Sequence, residues 1–201
     1  MSIRPICENA LWDRHDMIVN RFGIDGPAEL VPQRHEDERG YFCETFNAKA
    51  LAAAGISEPQ WVQDNQSFSK QIYTLRGLHF QVAPCEQAKL VRVLKGAIFD
   101  VAVDIRKGSP TCGKWIAVTL AAERFNQLYV PAGFAHGFLT LEADSEVLYK
   151  VSAPYSKHHE RTIRWNDPGI NISWPLPDGS RPLLSAKDAD APAFLKEDQN
   201  A

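Results

Sequence analysis

Short apolar or alternating segments, each cut off by turn residues, follow one another from Met17 to about residue 165. The segments 72–78, 90–94, 97–105, 115–120, 127–130, 137–141, 146–151 and 162–165 are the candidate strands, with Gly, Pro, Asp or Asn between them. Strands this short and this closely spaced predict an all-β sandwich or barrel. Helices alternating with the strands are missing, which argues against a doubly wound parallel sheet. Two segments read as helical: 48–54, with Asn47 as N-cap and Gly55 beyond it, and the tail 186–198, which contains Pro192. Residues 1–16 have neither period nor turn logic and read as an extension. Residues 17–201 read as one β-domain, with no internal repeat or linker.

Charge and cysteine usage narrow the function. With 22 basic and 25 acidic residues the net charge is −3, and no Lys/Arg run offers a footprint for nucleic acid. No stretch approaches the roughly 18–20 apolar residues of a spanning helix, so no membrane partner is expected. The N-terminus mixes both charges without an apolar core, so a cytoplasmic location is expected. Cys7, Cys43, Cys85 and Cys112 form no C-x-x-C pair, which speaks against a zinc ribbon or a redox dithiol and for reduced thiols.

Polar and ionisable residues break into the strand-like segments at three places: DERGYFCETF (37–46), 63–90, and VPAGFAHGF (130–138). In the second, His79 stands between Leu78 and Phe80, where partial burial favours the uncharged imidazole, which can accept a proton. A core histidine bonded to backbone would look the same. Arg76, Gln81 and Lys89 accompany His79, however, and buried cations and amides call for an anionic ligand or counter-charge.

In the third, Pro131-x-Gly133-x-x-His136 delivers a histidine into a barrel mouth, as in the metal site of cupins, the double-stranded β-helix superfamily. Metal-binding cupins carry an H-x-H pair and a downstream Glu. Here the pair is His79-Phe80-Gln81, and His79, Glu86 and His136 would need Gln81 as a poor fourth ligand. No metal and no cofactor are expected, and a metal-dependent cupin oxygenase is the rival reading.

Eight blocks carry a more specific resemblance: DERGYFCETF, VQDNQSFS, LRGLHFQ, QAKLVRV, G-x-x-x-DVAVDIR, GFAHGF, Y-x5-Y and the terminal SAKD, in that order. Over about residues 17–192 the chain resembles the dTDP-4-dehydrorhamnose 3,5-epimerase family, cupin-type jelly rolls acting on a nucleoside diphosphate 4-keto-6-deoxy sugar. By that resemblance His79 is the base, oriented by Asp188; Lys89 stabilises the enolate; and Tyr149 is the acid on the other face. His136 and Asp100 resemble a second His–Asp pair beside the sugar, and Tyr155 lines the sugar or nucleotide pocket. Arg39 and Arg76 match diphosphate-binding arginines, and Phe42, Glu44, Gln63 and Asn65 match positions around the nucleoside.

His35 departs from the family, many members of which carry an aromatic residue there that closes over the base. The family includes enzymes that invert one centre instead of two, so a single-centre epimerase is the alternative within it. A non-catalytic sugar-nucleotide binder on the same barrel is a further rival. The resemblance also implies a homodimer with exchanged N-terminal strands, bringing the DERG segment to the partner's pocket.

Overall fold

A computed structural model describes residues 17–58 and 60–194. The predicted extension 1–16, Cys7 with it, and residues 195–198 of the predicted tail helix lie outside the described residues. The first strands are β1 (Ile18–Arg21), β2 (Ala28–Val31), β3 (Arg34–Asp37) and β4 (Gly40–Cys43), followed by helix α1 (Ala48–Ala53). Next come β5 (Gln63–Ser69), β6 (Leu75–Gln81), β7 (Lys89–Lys95), β8 (Ala97–Asp104) and β9 (Trp115–Ala121). The chain continues through β10 (Gln127–Val130), β11 (Phe134–Thr140), β12 (Ser145–Val151), β13 (Glu160–Thr162) and a short helix α2 (Ala186–Ala189). Six strands form one sheet in the order β1-β2-β10-β7-β12-β5, five form the facing sheet in the order β13-β6-β11-β8-β9, and β3 and β4 make a separate hairpin. The strands pair antiparallel throughout. This is the expected two-sheet jelly roll.

Period-two alternation explains how each strand serves two environments. From β8, Ile98 and Ala102 enter the cluster between the sheets, with Val91 and Val93 of β7, Leu128 of β10, Phe134 and Phe138 of β11 and Val147 of β12. Val101 and Val103 of the same strand face outward, under Ile163, Ile170 and Ile172 of the C-terminal segment. On the outside of the other sheet, α1 supplies Leu51 to a cluster with Leu30, Leu90 and Tyr129. Each such aliphatic side chain contributes roughly 1.5–3 kcal/mol by leaving water. Asn47 caps α1 as expected, its side chain accepting from the amides of Lys49 and Ala50.

The strand predicted at 137–141 starts three residues earlier, at Phe134, and three other boundaries that differ from the sequence expectations have a local cause. The strand predicted at 72–78 begins at Leu75 and runs on to Gln81, because Tyr73 takes a left-handed φ of 59° and ends the preceding turn. The segment predicted at 162–165 pairs earlier, over Glu160–Thr162, since Arg164 already accepts a turn hydrogen bond from Asp167. The tail helix is confined to Ala186–Ala189; past it the Pro192 carbonyl accepts from Arg164 N–H instead of continuing a helix.

One contact sets how the site-bearing strands lie. At Gly77 of β6, φ is +134° and a Cβ would fall 2.5 Å from Gly137 Cα on β11; a Cβ on Gly137 would fall 2.8 Å from the Arg76 carbonyl oxygen. Neither strand has room for a side chain here. Gly137→Ala is expected to cost about 1–3 kcal/mol through this overpacking, read as a lower melting temperature, whereas Gly40→Ala meets nothing within 4 Å and loses only what its positive φ imposes.

Candidate active site

Polar side chains interrupt the inward rows of both sheets at one end of the roll. On β7 the row Lys89-Val91-Val93 is apolar except for Lys89; on β11 His136 stands between Phe134 and Phe138; on β8 Asp100 stands between Ile98 and Ala102. His136 lies directly opposite His79 of β6 in the strand pairing, while two residues further Phe138 pairs with Arg76, three residues back on β6. The extra residue on β6 is a bulge. It lets Arg76 and His79 line one cavity, which strict alternation from 76 would forbid.

That cavity, about 470 Å3, is lined by Arg76, His79, Lys89, His136, Tyr149 and Asp188 among others. An adjoining lobe of about 300 Å3 shares His79, Lys89 and Tyr149 and adds Gln63, Asn65 and Tyr155. His79, His136 and Asp100 come from the five-stranded sheet, whereas Lys89, Tyr149, Gln63 and Asn65 come from the six-stranded one. The cavity lies between them.

Asp188 arrives from α2, whose N-cap Ser185 accepts from the Asp188 amide. Its carboxylate is 2.6 Å from His79 Nε2. Burial works against the charged carboxylate, but the hydrogen bond and charge of His79 outweigh it, and Asp188 titrates below the ordinary aspartate range. In the neutral ring, the tautomer that donates Nε2–H to Asp188 leaves the lone pair on Nδ1 of His79. The second pair repeats this geometry deeper in: His136 Nε2 lies 2.6 Å from Asp100 Oδ1, and Asp100 is fully buried. Burial pushes His136 below the ordinary histidine range despite Asp100, favouring the uncharged ring.

Lys89 Nζ donates to the His79 carbonyl at 3.2 Å. Burial pushes its pKa down to about 8, against the attraction of Asp100 and Glu160 and with the repulsion of Lys187. Burial raises the pKa of the Tyr149 phenol while Arg76 pulls the other way, so its proton is retained near neutrality. In the second lobe Gln63 Nε2 donates to Asn65 Oδ1 at 2.6 Å, and Gln63 Oε1 accepts from the Tyr155 amide. The Tyr155 hydroxyl donates to Glu160.

Arg39, Phe42 and Glu44 do not enter this chain's own cavity. They belong to the β3–β4 hairpin and its exit; Arg39 is 90% exposed and pairs with Asp37 at 2.5 Å. Phe42 and Glu44 line a separate cleft of about 340 Å3 with His35, Phe46 and Gln127. Two charged residues at the cavity had no assigned role in the sequence reading. Glu160 of β13 binds Lys187 at 2.6 Å, and Lys187 reaches it from the residue next to Asp188. Lys187 stood inside the SAKD block; Glu160 carried no signal, since its place comes from the pairing of Glu160 with Gln81.

A metal site through His79, Glu86 and His136 is not assembled: among the described residues no three His, Cys, Asp or Glu side chains converge to hold a metal ion. Gln81 is committed elsewhere, Nε2 donating to the carbonyls of Cys85 and Pro154 and Oε1 accepting from the Ser156 amide.

Fold and cavity together define a cupin-type jelly roll with histidine–carboxylate pairs facing a tyrosine and a buried lysine. A family model described as dTDP-4-dehydrorhamnose 3,5-epimerase matches residues 21–196. A dTDP-4-dehydrorhamnose 3,5-epimerase of Sinorhizobium fredii is 52% identical over 167 residues, which is 83% of this chain and 84% of the relative. The crystal structure of the Bacillus anthracis enzyme of that name, with TDP and PPi bound, superposes with a TM-score of 0.85 at 43% identity, covering 89% of this chain and 99% of that one. A Legionella pneumophila dTDP-6-deoxy-D-glucose-3,5-epimerase in complex with dTDP-4-keto-L-rhamnose gives 0.83 at 44% identity, covering 88% and 92%. The chain belongs to the dTDP-4-dehydrorhamnose 3,5-epimerase family, enzymes of the isomerase class.

The cavity carries a cost in stability. Below pH 8 Lys89 is charged in both folded and unfolded chains, and the full burial penalty applies; between pH 8 and the ordinary lysine value of 10.5 the folded chain sheds the proton first and the penalty fades. Lys89→Met is therefore expected to melt higher than the parent at pH 7, by ~2–4 °C per kcal/mol recovered. Melting curves at pH 7 and pH 10 check this: the gain shrinks at the higher pH.

Proposed function

We propose that this chain epimerises a dTDP-4-dehydro-6-deoxy sugar next to its ketone, in deoxysugar synthesis of the dTDP-L-rhamnose type. The observation that carries this reading is that His79 and Tyr149 stand on facing sheets across one cavity, with Lys89 bordering both lobes. Inverting a carbon centre requires a proton to leave one face and return to the other. A binder needs no such pair.

In this reaction His79 Nδ1 accepts the proton from the carbon beside the ketone, and the C–H electron pair moves into the enolate. Asp188 holds the ring in orientation and stabilises the imidazolium that forms. The Lys89 ammonium donates to the developing enolate oxygen; in a buried site such a charge acts with little reorganisation. Tyr149 then delivers its proton to the carbon from the opposite face, and Arg76 eases the phenolate left behind. His136, held by Asp100, supports the sugar as a neutral group. Once solvent has taken the proton from His79 and returned one to the Tyr149 phenolate, repeating the cycle at the carbon on the other side of the ketone gives the double inversion; a single cycle gives the one-centre alternative. No cofactor enters this chemistry.

We further propose a homodimer in which the β3–β4 hairpin of one chain serves its partner's cavity. Tyr41 and Phe42 are each 61% exposed on this hairpin, a state more natural to a contact surface than to water. Arg39 would then meet the diphosphate, with Phe42 and Glu44 meeting the nucleoside beside Gln63, Asn65 and Tyr155. The chain is assigned to the cytoplasm: Cys43, Cys85 and Cys112 are free thiols, and among the described residues no helix is long and apolar enough to cross a membrane.

Incubation with the 4-keto-6-deoxy sugar nucleotide in deuterium oxide tests the reaction. Deuterium at carbons 3 and 5 is expected for the double epimerase, and at one carbon for the alternative. His79→Ala is expected to abolish exchange, a loss of at least about 10²–10⁴-fold, with circular dichroism unchanged; exchange that persists removes His79 from its role. Tyr149→Phe is expected to slow product formation more than the first deprotonation, and an equal loss of both contradicts the assigned acid.

Mixing tests the shared hairpin. Arg39→Ala and His79→Ala chains, each impaired alone, are expected to regain up to about a quarter of parental activity when exchanged into mixed dimers, because one intact site forms in each. A mixture no more active than its components places Arg39 in its own chain's site.

A further inference from the structure

Asp100 is wholly buried on β8 between Ile98 and Ala102 and lines neither lobe of the cavity. His136 Nε2–H donates to its Oδ1, while Oδ2, equally buried, has no hydrogen-bond partner among the described residues. Because burial favours the uncharged His136 ring, this hydrogen bond does not cancel the charge of the carboxylate, and the pair carries one net negative charge. A buried charge left that way is costly unless a cation lies near. Holding a neutral imidazole does not call for it, since a carbonyl oxygen would accept from Nε2–H just as well.

The strand register brings the cation. Lys89 crosses from the six-stranded sheet, and its Nζ donates to the carbonyl of His79 on β6. His79 is paired with His136 across β6 and β11, so the ammonium reaches the facing sheet at the level of the His136–Asp100 pair. No described carboxylate forms an ion pair with Lys89. The attraction of Asp100 therefore acts from beyond contact and leaves N–H groups of the ammonium for a ligand. The other charges around Lys89 do not replace it. Glu160 of β13 is bound by Lys187 and by the Tyr155 hydroxyl, and Lys187 of α2 repels Lys89. Asp188 of α2 is bound to His79, Arg76 of β6 adds a positive charge, and Tyr149 of β12 keeps its proton. Burial is the largest influence on Lys89 and drives its proton off; Asp100 is the largest of those that retain it.

We propose that Asp100 acts on catalysis through Lys89, the His136–Asp100 pair being a buried counter-charge that keeps Lys89 in its ammonium form. This rests on the reading of Lys89 as the cation that stabilises the enolate. Asp100 touches no reacting atom and is a positioning residue for the charge of Lys89. A carboxylate in contact with the ammonium would compete with the enolate oxygen for its N–H groups. One set back from the cavity raises the affinity for the proton and leaves those groups aimed at the substrate. The unpaired Oδ2 is what remains when a carboxylate is kept for its charge and not for its hydrogen bonds.

Deuterium incorporation into the 4-keto-6-deoxy sugar nucleotide, followed with the full-length chain from neutral to alkaline pH, tests the proposal. In the parent the rate is expected to fall around pH 8, as Lys89 loses its proton. Asp100→Asn keeps the shape and an acceptor for His136, and its fall is expected about one pH unit lower, with circular dichroism unchanged. His136→Gln leaves the Asp100 charge in place and is expected to keep the parental midpoint, whatever it does to the rate. A second measurement needs no turnover: modification of Lys89 by fluorodinitrobenzene, read by peptide mass spectrometry, reports the neutral amine. Near pH 6, Asp100→Asn is expected to react about tenfold faster than the parent, the same pH unit read as a ratio. Should Asp100→Asn fail to fold, Asp100→Ser serves in both measurements with the same expectations. A midpoint and a labelling rate equal to the parent's, however slow the turnover, overturn the proposal and leave Asp100 to His136 alone. So does a midpoint that moves equally in His136→Gln, which assigns the shift to the shape of the pocket. A parent without deuterium incorporation at any pH overturns the reading of the reaction, and with it the catalytic half of the proposal, while the labelling ratio still decides whether Asp100 governs the Lys89 proton.

Discussion

Gly77 and Gly137 pass so close that a methyl group on either would strike the other strand's backbone. That approach, together with the bulge beside it, fixes the direction of the chain on both sides. Arg76 and His79 turn to the cavity while Leu78 turns outward into the cluster under the C-terminal segment. Had β6 kept strict alternation, Arg76 and His79 would face opposite sides of the sheet. The glycine pair therefore does more than permit packing: it decides that a guanidinium and an imidazole share one space.

The rest of the cavity is a balance between burial and charge. The inward positions around the core cluster are aliphatic and close-packed, and the polar pocket lies beyond them. Each carboxylate there has a hydrogen-bonding or ionic partner: Asp188 has His79, Asp100 has His136, and Glu160 has Lys187 and Tyr155. Among the cations Lys89 is one exception. Lys89 donates only to a backbone carbonyl among the described residues, and burial takes its pKa down to about 8. In the proposed reaction a transient negative oxygen needs a cation whose attraction is not already spent, and instability in the resting fold follows from keeping one.

The hairpin carries the same logic outward. Arg39, Phe42 and Glu44 match family positions yet stand apart from the cavity of their own chain, with two exposed aromatics beside them. In the proposed dimer that surface serves a second copy, and the unit of function would then be larger than the unit that folds around α1 and the two sheets. The separate cleft lined by His35 and Phe42 lies where the departure from the family's aromatic falls.

Much of this was readable in the order of residues. The spacing of short strands announced a two-sheet β fold, the Asn47 cap and Gly55 framed α1, and the eight motif blocks pointed to the family and to His79, Lys89, Tyr149 and Asp188. These are local signals: alternation, caps and turn residues act over a few positions and leave their mark in composition. The inclusion of Glu160 at the cavity was not readable, nor was the bulge that aligns Arg76 with His79. Each depends on which strands become neighbours and at what register, a choice made by the packing of the whole chain. The sequence alone determined the fold class and the chemical groups available; the tertiary structure decided which of them face one another, because a side chain's direction follows its strand but its partner comes from across the sheet.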